Sequence, residues 1–268
     1  DEHDDIERKG YLLNELGGIF HYRGIYRDAL KKFKQALNIF EQTGDLNGKT
    51  YSLNRIGQVY QDQGNYDDAL SWYDRSIKFF KFLGESEEKS KAYYNTAMIY
   101  RDKGEYLDSL KNFEEVLKIE VDLFNLKRKA DSLNQIGLIY LTEGNYPVAK
   151  ERFKEAIKIA NEIEESELKG AFLNNLSLVY LNKGDYAEAW KSSKQALDIF
   201  EQLENYEGIA ESKYKLGLTY LEQKSYVEAI KIHEEALDAL SKFSKNYSKL
   251  PLTKVLRYNI KLIKAKQN

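Results

Sequence analysis

Apolar residues recur along this chain in steps of three and four. Leu53, Ile56, Gly57 and Tyr60 are spaced by 3, 1 and 3, which sets them on one face of a helix. Ala69, Leu70, Tyr73, Ser76 and Ile77 follow the same rule further along. Gly64 falls between the two patterns, where a glycine in the left-handed conformation ends a helix. The spacing predicts two antiparallel helices over about 48–63 and 67–82.

The same pattern returns every 40 residues. Gly-x-Tyr stands at Gly24-Tyr26, Gly64-Tyr66, Gly104-Tyr106, Gly144-Tyr146 and Gly184-Tyr186, and a sixth copy keeps Tyr226 with Lys224 for the glycine. A left-handed Lys224 is expected to cost about 1 kcal/mol. A small residue follows each Tyr by three: Ala29, Ala69, Ser109, Ala149, Ala189, Ala229. Upstream, Gly17, Gly57, Gly137 and Gly217 mark a second small position, held by Ala97 and Ser177 in the other copies. An aromatic lies three further on, from Phe20 and Tyr60 to Tyr220. A third small position runs Ala36, Ser76, Ala156, Ala196 and Ala236, with Val116 as the bulkier exception. Pro147 falls where a second helix begins, the place in a helix that tolerates proline best. Glycines at two repeat positions are read as a close helix approach and a turn. Tyrosines at two repeat positions are read as packing wedges.

Composition fits long helices and removes several chemistries. Only 2 of 268 residues are Pro, and none is Cys, so there is neither a disulfide framework nor a thiol nucleophile. The formal charge is −2, from 41 Lys+Arg and 43 Asp+Glu, so no overall field attracts nucleic acid. No stretch approaches the roughly 18 apolar residues of a membrane-spanning helix. His3, His21 and His233 show no metal-ligand spacing, and no phosphate-binding or nucleophile-elbow string occurs. His233 replaces the aromatic of Phe33, Tyr73, Phe113 and Phe153 and is read as a partly buried packing residue. The expectation is a chain that is not an enzyme and needs no cofactor or metal.

The string of small residue, aromatic, Gly-x-Tyr, x-x-Ala, aromatic, x-x-Ala-Leu resembles the tetratricopeptide repeat, whose usual unit is about 34 residues. A 40-residue form is similar to the repeats of kinesin light chain, of Leu-Gly-Asn repeat adaptors and of bacterial sensor domains. HEAT and armadillo repeats do not account for Gly-x-Tyr. The family's usual Pro at the end of the second helix is absent here, where Glu41, Lys81, Val121, Asn161 and Glu201 lie. The resemblance implies an all-α solenoid of six helical hairpins at about 7–44, 47–84, 87–124, 127–164, 167–204 and 207–244, within 1–246. A basic helix over 247–268 is expected to cap it. Residues 241–268 hold eight Lys/Arg and no acid, whereas residues 1–10 are acidic.

A stack of hairpins binds partners on its concave face, which the first helices line. Helix geometry aims Tyr51, Asn54, Gln58, Gln61 and Asp62 away from the core. The corresponding face is polar and aromatic early in the chain, with Tyr11, Asn14, His21, Tyr22, then Tyr94, Met98 and Arg101. It is leucine-rich later: Leu138, Leu141, Leu178, Leu181, Leu218 and Leu221. These leucines either pack on neighbouring helices or await a partner's apolar side chains. Arg101 either meets a ligand carboxylate or pairs with Asp62 or Asp102.

Asn14, Asn54, Asn134 and Asn174 recur three before the small position. An amide offers donor and acceptor, so this row either pairs with the backbone of an extended peptide or ties adjacent helices together. The resemblance to kinesin light chain and adaptor repeats implies the first role.

The expected partner is a protein or peptide segment, with no nucleic acid and no membrane span; a homo-oligomer stacked through its end repeats and the sensor part of a larger signalling protein are the other readings. The expected compartment is the cytoplasm, or a bacterial periplasm if a leader preceded Asp1. The chain opens on Asp1 rather than Met, which points to processing or to a piece of a longer protein.

Overall fold

The computed structural model describes residues 2–84, 87–119 and 125–267. Val121 lies outside them, as does the side chain of His3. The described residues form thirteen α-helices and one 3₁₀ turn, with no strand. They divide into two compact units, Asp1–Asn125 and Leu126–Asn268.

The first unit holds three hairpins. These are α1 (Glu2–Tyr22) with α2 (Tyr26–Thr43), α3 (Leu46–Asp62) with α4 (Tyr66–Leu83), and α5 (Glu87–Asp102) with α6 (Tyr106–Ile119). The second holds α7 (Leu126–Thr142) with α8 (Tyr146–Glu162), α9 (Ser166–Asn182) with α10 (Tyr186–Gln202), and α11 (Tyr206–Glu222) with α12 (Tyr226–Phe243). A last helix, α13 (Pro251–Gln267), packs on α12 and α11 and buries Leu256 and Ile263.

Each hairpin turn is built by the same bonds. Past α1, the Gly24 amide donates to the His21 carbonyl at 2.8 Å and the Ile25 amide to the Phe20 carbonyl at 2.9 Å. This wraps the helix end around a left-handed residue. Gly24, Gly64, Gly104, Gly144 and Gly184 all have φ between 71 and 78°. Lys224 adopts φ 60° at the sixth turn, as its place in the pattern predicts. Between hairpins a second left-handed position follows, taken by Gly44 and Gly84 in the first unit but by Glu164 and Glu204 in the second.

The small positions are where helices meet. Ala29, Ala69, Ser109, Ala149, Ala189 and Ala229 are fully buried. A Cβ on Gly17, Gly57 or Gly137 would stand 2.7–2.8 Å from the ring of Phe33, Tyr73 or Phe153, so each glycine is the socket of an aromatic from its own second helix. Gly217 plays this part for His233, which is buried completely rather than in part.

A further aromatic lock occurs in only some of the hairpins and so leaves no mark at every 40-residue step. Phe40 lies between Gly10 of α1 and Gly48 of α3, and Phe200 between Gly170 of α9 and Gly208 of α11. Ala160 takes the same place in the fourth hairpin, where Ala130 and Leu168 stand for the two glycines.

In the first unit the core runs from Phe33, Leu53 and Val59 to Tyr73 and Ile99. In the second it runs from Phe153, Leu176 and Val179 to Phe200, Leu216 and Leu240. Within each unit, neighbouring first helices touch one another, α1 with α3 and α3 with α5, then α7 with α9 and α9 with α11. Second helices approach chiefly the first helices beside them, and α12 also meets α13. First helices therefore occupy the tighter side of each unit.

Candidate functional site

The outward face of the first helices differs between the two units. In the first, a hollow of about 840 Å³ opens between α1 and α3. Its lining includes Glu15, Gly18, His21, Tyr22, Tyr51, Arg55 and Asp62. Gly18 explains why it exists. The same place in later hairpins carries Gln58, Met98, Leu138, Leu178 and Leu218. At Gly18 nothing lies within 4 Å of where a Cβ would stand.

The walls of the hollow are polar and pre-set. His21 Nε2 lies 2.7 Å from Asp62 Oδ2. The Arg55 guanidinium stacks 4.7 Å over the Tyr51 ring and donates to Gln58 Oε1 at 2.9 Å. Tyr22 stands almost fully in solvent at 94% exposure. The pocket thus offers an aromatic platform, a cation and a carboxylate–imidazole pair, which suit amide, aromatic and charged groups of a peptide.

Other residues singled out in the sequence are placed as follows. Tyr11 donates to Asp45 Oδ2 at 2.6 Å, and its ring meets Phe40 edge-on at 4.9 Å. Burial and the adjacent Asp45 push the Tyr11 phenol above its usual range. Gln61, expected to face outward freely, accepts from the Tyr73 hydroxyl at 2.8 Å. Tyr94 packs edge-on against Phe113 at 5.7 Å. Arg101 donates to Asp102 Oδ1 at 2.7 Å, while Asp62 is engaged by His21.

The asparagine row is buried and bonded inside the scaffold. Asn14 Nδ2 donates to Ser52 Oγ at 3.0 Å, and Asn174 Nδ2 to Ser212 Oγ at 2.9 Å. Asn54 Nδ2 donates to the Glu88 carbonyl at 2.9 Å, and Asn134 Oδ1 accepts from Asn175 Nδ2 at 2.8 Å. Every bond runs to the next first helix. Asn54 Oδ1 and Asn174 Oδ1 have no partner.

In the second unit the leucine face is half-buried. Leu138, Leu141 and Leu181 pack against the cluster around Phe153 and Val179. Leu178, Leu218 and Leu221 are also only partly open. Two ionisable groups on this side feel burial. It raises the Asp131 carboxyl against the pull of Lys127 and Arg128, and it lowers the Lys215 ammonium against Glu211. Among the described residues no group of three or more His, Asp or Glu converges as a metal site. No described helix is long and apolar enough to cross a membrane.

Repeated helical hairpins with small-residue joints and left-handed turns define an α-solenoid repeat protein. Sequence profiles of the tetratricopeptide repeat match residues 10–81, 88–162 and 169–242, and a second such profile matches 54–120 and 134–203. The chain belongs to the tetratricopeptide repeat family. No curated protein matches it.

Solved structures share the fold at low identity. The signal transduction ATPase with numerous domains and a tetratricopeptide repeat sensor from Pyrococcus horikoshii is 18% identical, with a TM-score of 0.77; the match covers 99% of this chain and 40% of that one. A putative kinesin light chain from Podosopora anserina, with nearly identical repeats, is 17% identical with a TM-score of 0.61, over 75% of this chain and 98% of that one. A Rap protein complexed with competence and sporulation factor is 14% identical with a TM-score of 0.62, over 96% of this chain and 75% of that one.

Proposed function

We propose that this chain is a non-catalytic docking module that takes a segment of a partner protein on the outward face of its first helices. The hollow between α1 and α3 is its anchoring pocket. One observation carries the reading: a repeat position filled by Gln, Met or Leu in the other hairpins is Gly18 here, and the space it vacates is walled by Tyr51, Arg55, His21 and Asp62. Tyr11, Tyr51, Gln58, Tyr94 and Arg101 select side chains in the first unit. Leu138, Leu178 and Leu181 offer apolar contact in the second. Asn14, Asn54, Asn134 and Asn174 serve the site by holding the first helices in register.

The fold is shared with a Rap protein complexed with competence and sporulation factor, which supports a role in binding a partner. A sensor role within a longer protein is favoured by one observation: nearly the whole chain matches the structure that carries a tetratricopeptide repeat sensor. Both roles require the pocket. Peptides selected from a displayed random library and titrated against Tyr51→Ala and Arg55→Ala test it. The expected result is affinity at least about tenfold weaker in both variants, the loss of a buried anchor contact. Unchanged affinity in both would contradict the reading.

A further inference from the structure

The second helices of the first unit carry a charge imbalance that no later hairpin repeats. Along α2, Arg27, Lys31, Lys34 and Asn38 are spaced by 4, 3 and 4 and share one line of the helix. All of them are exposed. Moved by 40 residues, the line reads Asp67, Ser71, Asp74 and Lys78 on α4. On every second helix after α2 it holds at least one acid and at most two bases. On α2 it holds three bases and no acid.

Pairing sharpens the contrast. In α4, α6 and α10 each base on this line meets a carboxylate of its own helix: Lys78 meets Asp74, Lys111 meets Asp108, Lys118 meets Glu115, Lys191 meets Glu188 and Lys194 meets Asp198. Among the described residues Arg27, Lys31 and Lys34 form no ion pair. They line a hollow of about 530 Å³ together with Asp28 and Leu30. Asp28 lies in the first turn of α2, where a carboxylate complements the positive end of the helix.

Trp72 of α4 extends the patch across to the next second helix. Lys34 Nζ stands 5.9 Å and the Arg75 guanidinium 4.3 Å from the centre of its ring. Arg75 is exposed and, among the described residues, also without an ion pair. The half-buried indole thus holds two cations in place by its electron-rich face.

We propose that this face, from the exposed line of α2 to Arg75, docks an acidic segment of a partner protein. Its carboxylates supply the counter-charges that the chain itself lacks there. Arg75, planar and steadied by Trp72, takes a carboxylate with two parallel N–H donors, and Lys31 and Lys34 act as point charges. Single-stranded nucleic acid would offer phosphates to the same cations. Its bases would find no open platform, because the indole already lies under Lys34 and Arg75, and base stacking carries much of such binding. The patch lies on second helices and involves none of Gly18, Tyr51 and Arg55. Its failure would leave the docking reading standing, and the reverse holds too.

Fluorescence anisotropy of a labelled decaglutamate peptide, titrated with the full chain at low salt, tests the proposal. The wild type is compared with K31E/K34E and with K191E/K194E, which makes the same change of charge on α10. Equal melting temperatures establish that the variants are folded, and K31Q/K34Q takes the place of the reversal if its melting temperature falls. The wild type is expected to bind, with affinity at least about tenfold weaker in 0.3 M NaCl, where screening is strong. K31E/K34E should bind at least about tenfold more weakly than the wild type, and K191E/K194E within about threefold of it. Oligothymidylate of ten phosphates should bind more weakly than the peptide. A wild type that does not bind decaglutamate would overturn the proposal. So would an equal loss in K191E/K194E, which would reduce the effect to overall charge, or tighter binding of the oligothymidylate, which would assign the face to nucleic acid.

Discussion

Asn14 in α1 and Ser52 in α3 are joined by their side chains across the first inter-hairpin joint. Asn14 Nδ2 donates to Ser52 Oγ at 3.0 Å, and the serine hydroxyl faces both Asn14 Oδ1 at 3.1 Å and the Gly48 carbonyl at 2.8 Å. The same pair recurs as Asn174 and Ser212. There the serine hydroxyl turns to the Gly208 carbonyl at 2.9 Å, and Asn174 Oδ1 is left without a partner. Replacing Asn14 by Ala removes a buried bond and strands part of the serine. The expected loss is about 1–2 kcal/mol of unfolding free energy. A double-mutant cycle with Ser52→Ala in urea checks it, and coupling near zero would contradict the tie.

His233 makes stability depend on pH. Its ring is fully buried against Gly217, and neither nitrogen has a hydrogen-bond partner of good geometry. Burial lowers its pKa, with the Tyr214 backbone opposing in part. The native state therefore prefers the neutral ring, and the unfolded chain binds the extra proton. Stability is complete above the unfolded value of about 6.5 and falls below it, at up to about 1.4 kcal/mol per pH unit, until the native ring protonates too. His233→Phe restores the residue found at Phe33, Phe113 and Phe153. It should raise stability by about 1–3 kcal/mol by removing unpaired polar atoms, and should flatten the acid side of the profile. Thermal melts between pH 5 and 8 measure both effects.

Lys224 holds φ 60° where five other turns use glycine. Lys224→Gly is expected to stabilise the chain by about 1 kcal/mol, since a side chain is disfavoured in that conformation. Chemical denaturation of the single variant measures it, and a destabilised variant would show that the turn bears no strain.

Phe40 and Gly48 form a joint of the opposite kind, in which a side chain must be absent. A Cβ on Gly48 would fall 2.4 Å from the Phe40 ring. Gly48→Ala should cost about 1–3 kcal/mol by overpacking, and Phe40→Leu should recover part of that loss in the double variant. Equal stability of Gly48→Ala and the wild type would show that the ring moves aside freely.

Much of this was legible in the sequence, for a physical reason. A turn that demands a left-handed residue and a joint that demands a small one leave the same mark at every 40-residue step, so Gly24 and Ala29 declare their roles by recurrence. The helices at Leu46–Asp62 and Tyr66–Leu83 lie within a few residues of their predicted spans. Features that occur once or twice were harder to see. The Phe40 lock shows only when Gly10, Gly48, Gly170 and Gly208 are set beside Phe40 and Phe200. The direction of Asn14 could have been read from Ser52 and that of Asn174 from Ser212, 38 residues on in each case. Asn54 and Asn134 have Ala92 and Phe172 at that distance and find other partners. The hollow was least visible, because its signature is a missing side chain at Gly18.

That missing side chain also supplies the most direct measurement. Gly18→Leu places at this position the residue that Leu138 and Leu178 already represent, and a Cβ there meets nothing within 4 Å. Leucine is also the better helix former, by about 0.8 kcal/mol. Calorimetric titration of a library-selected peptide into the wild type and Gly18→Leu, beside melting curves of both, decides the matter. The account predicts equal or higher melting temperature together with affinity at least about tenfold weaker, as the pocket is filled. Full affinity in a folded Gly18→Leu variant would contradict it.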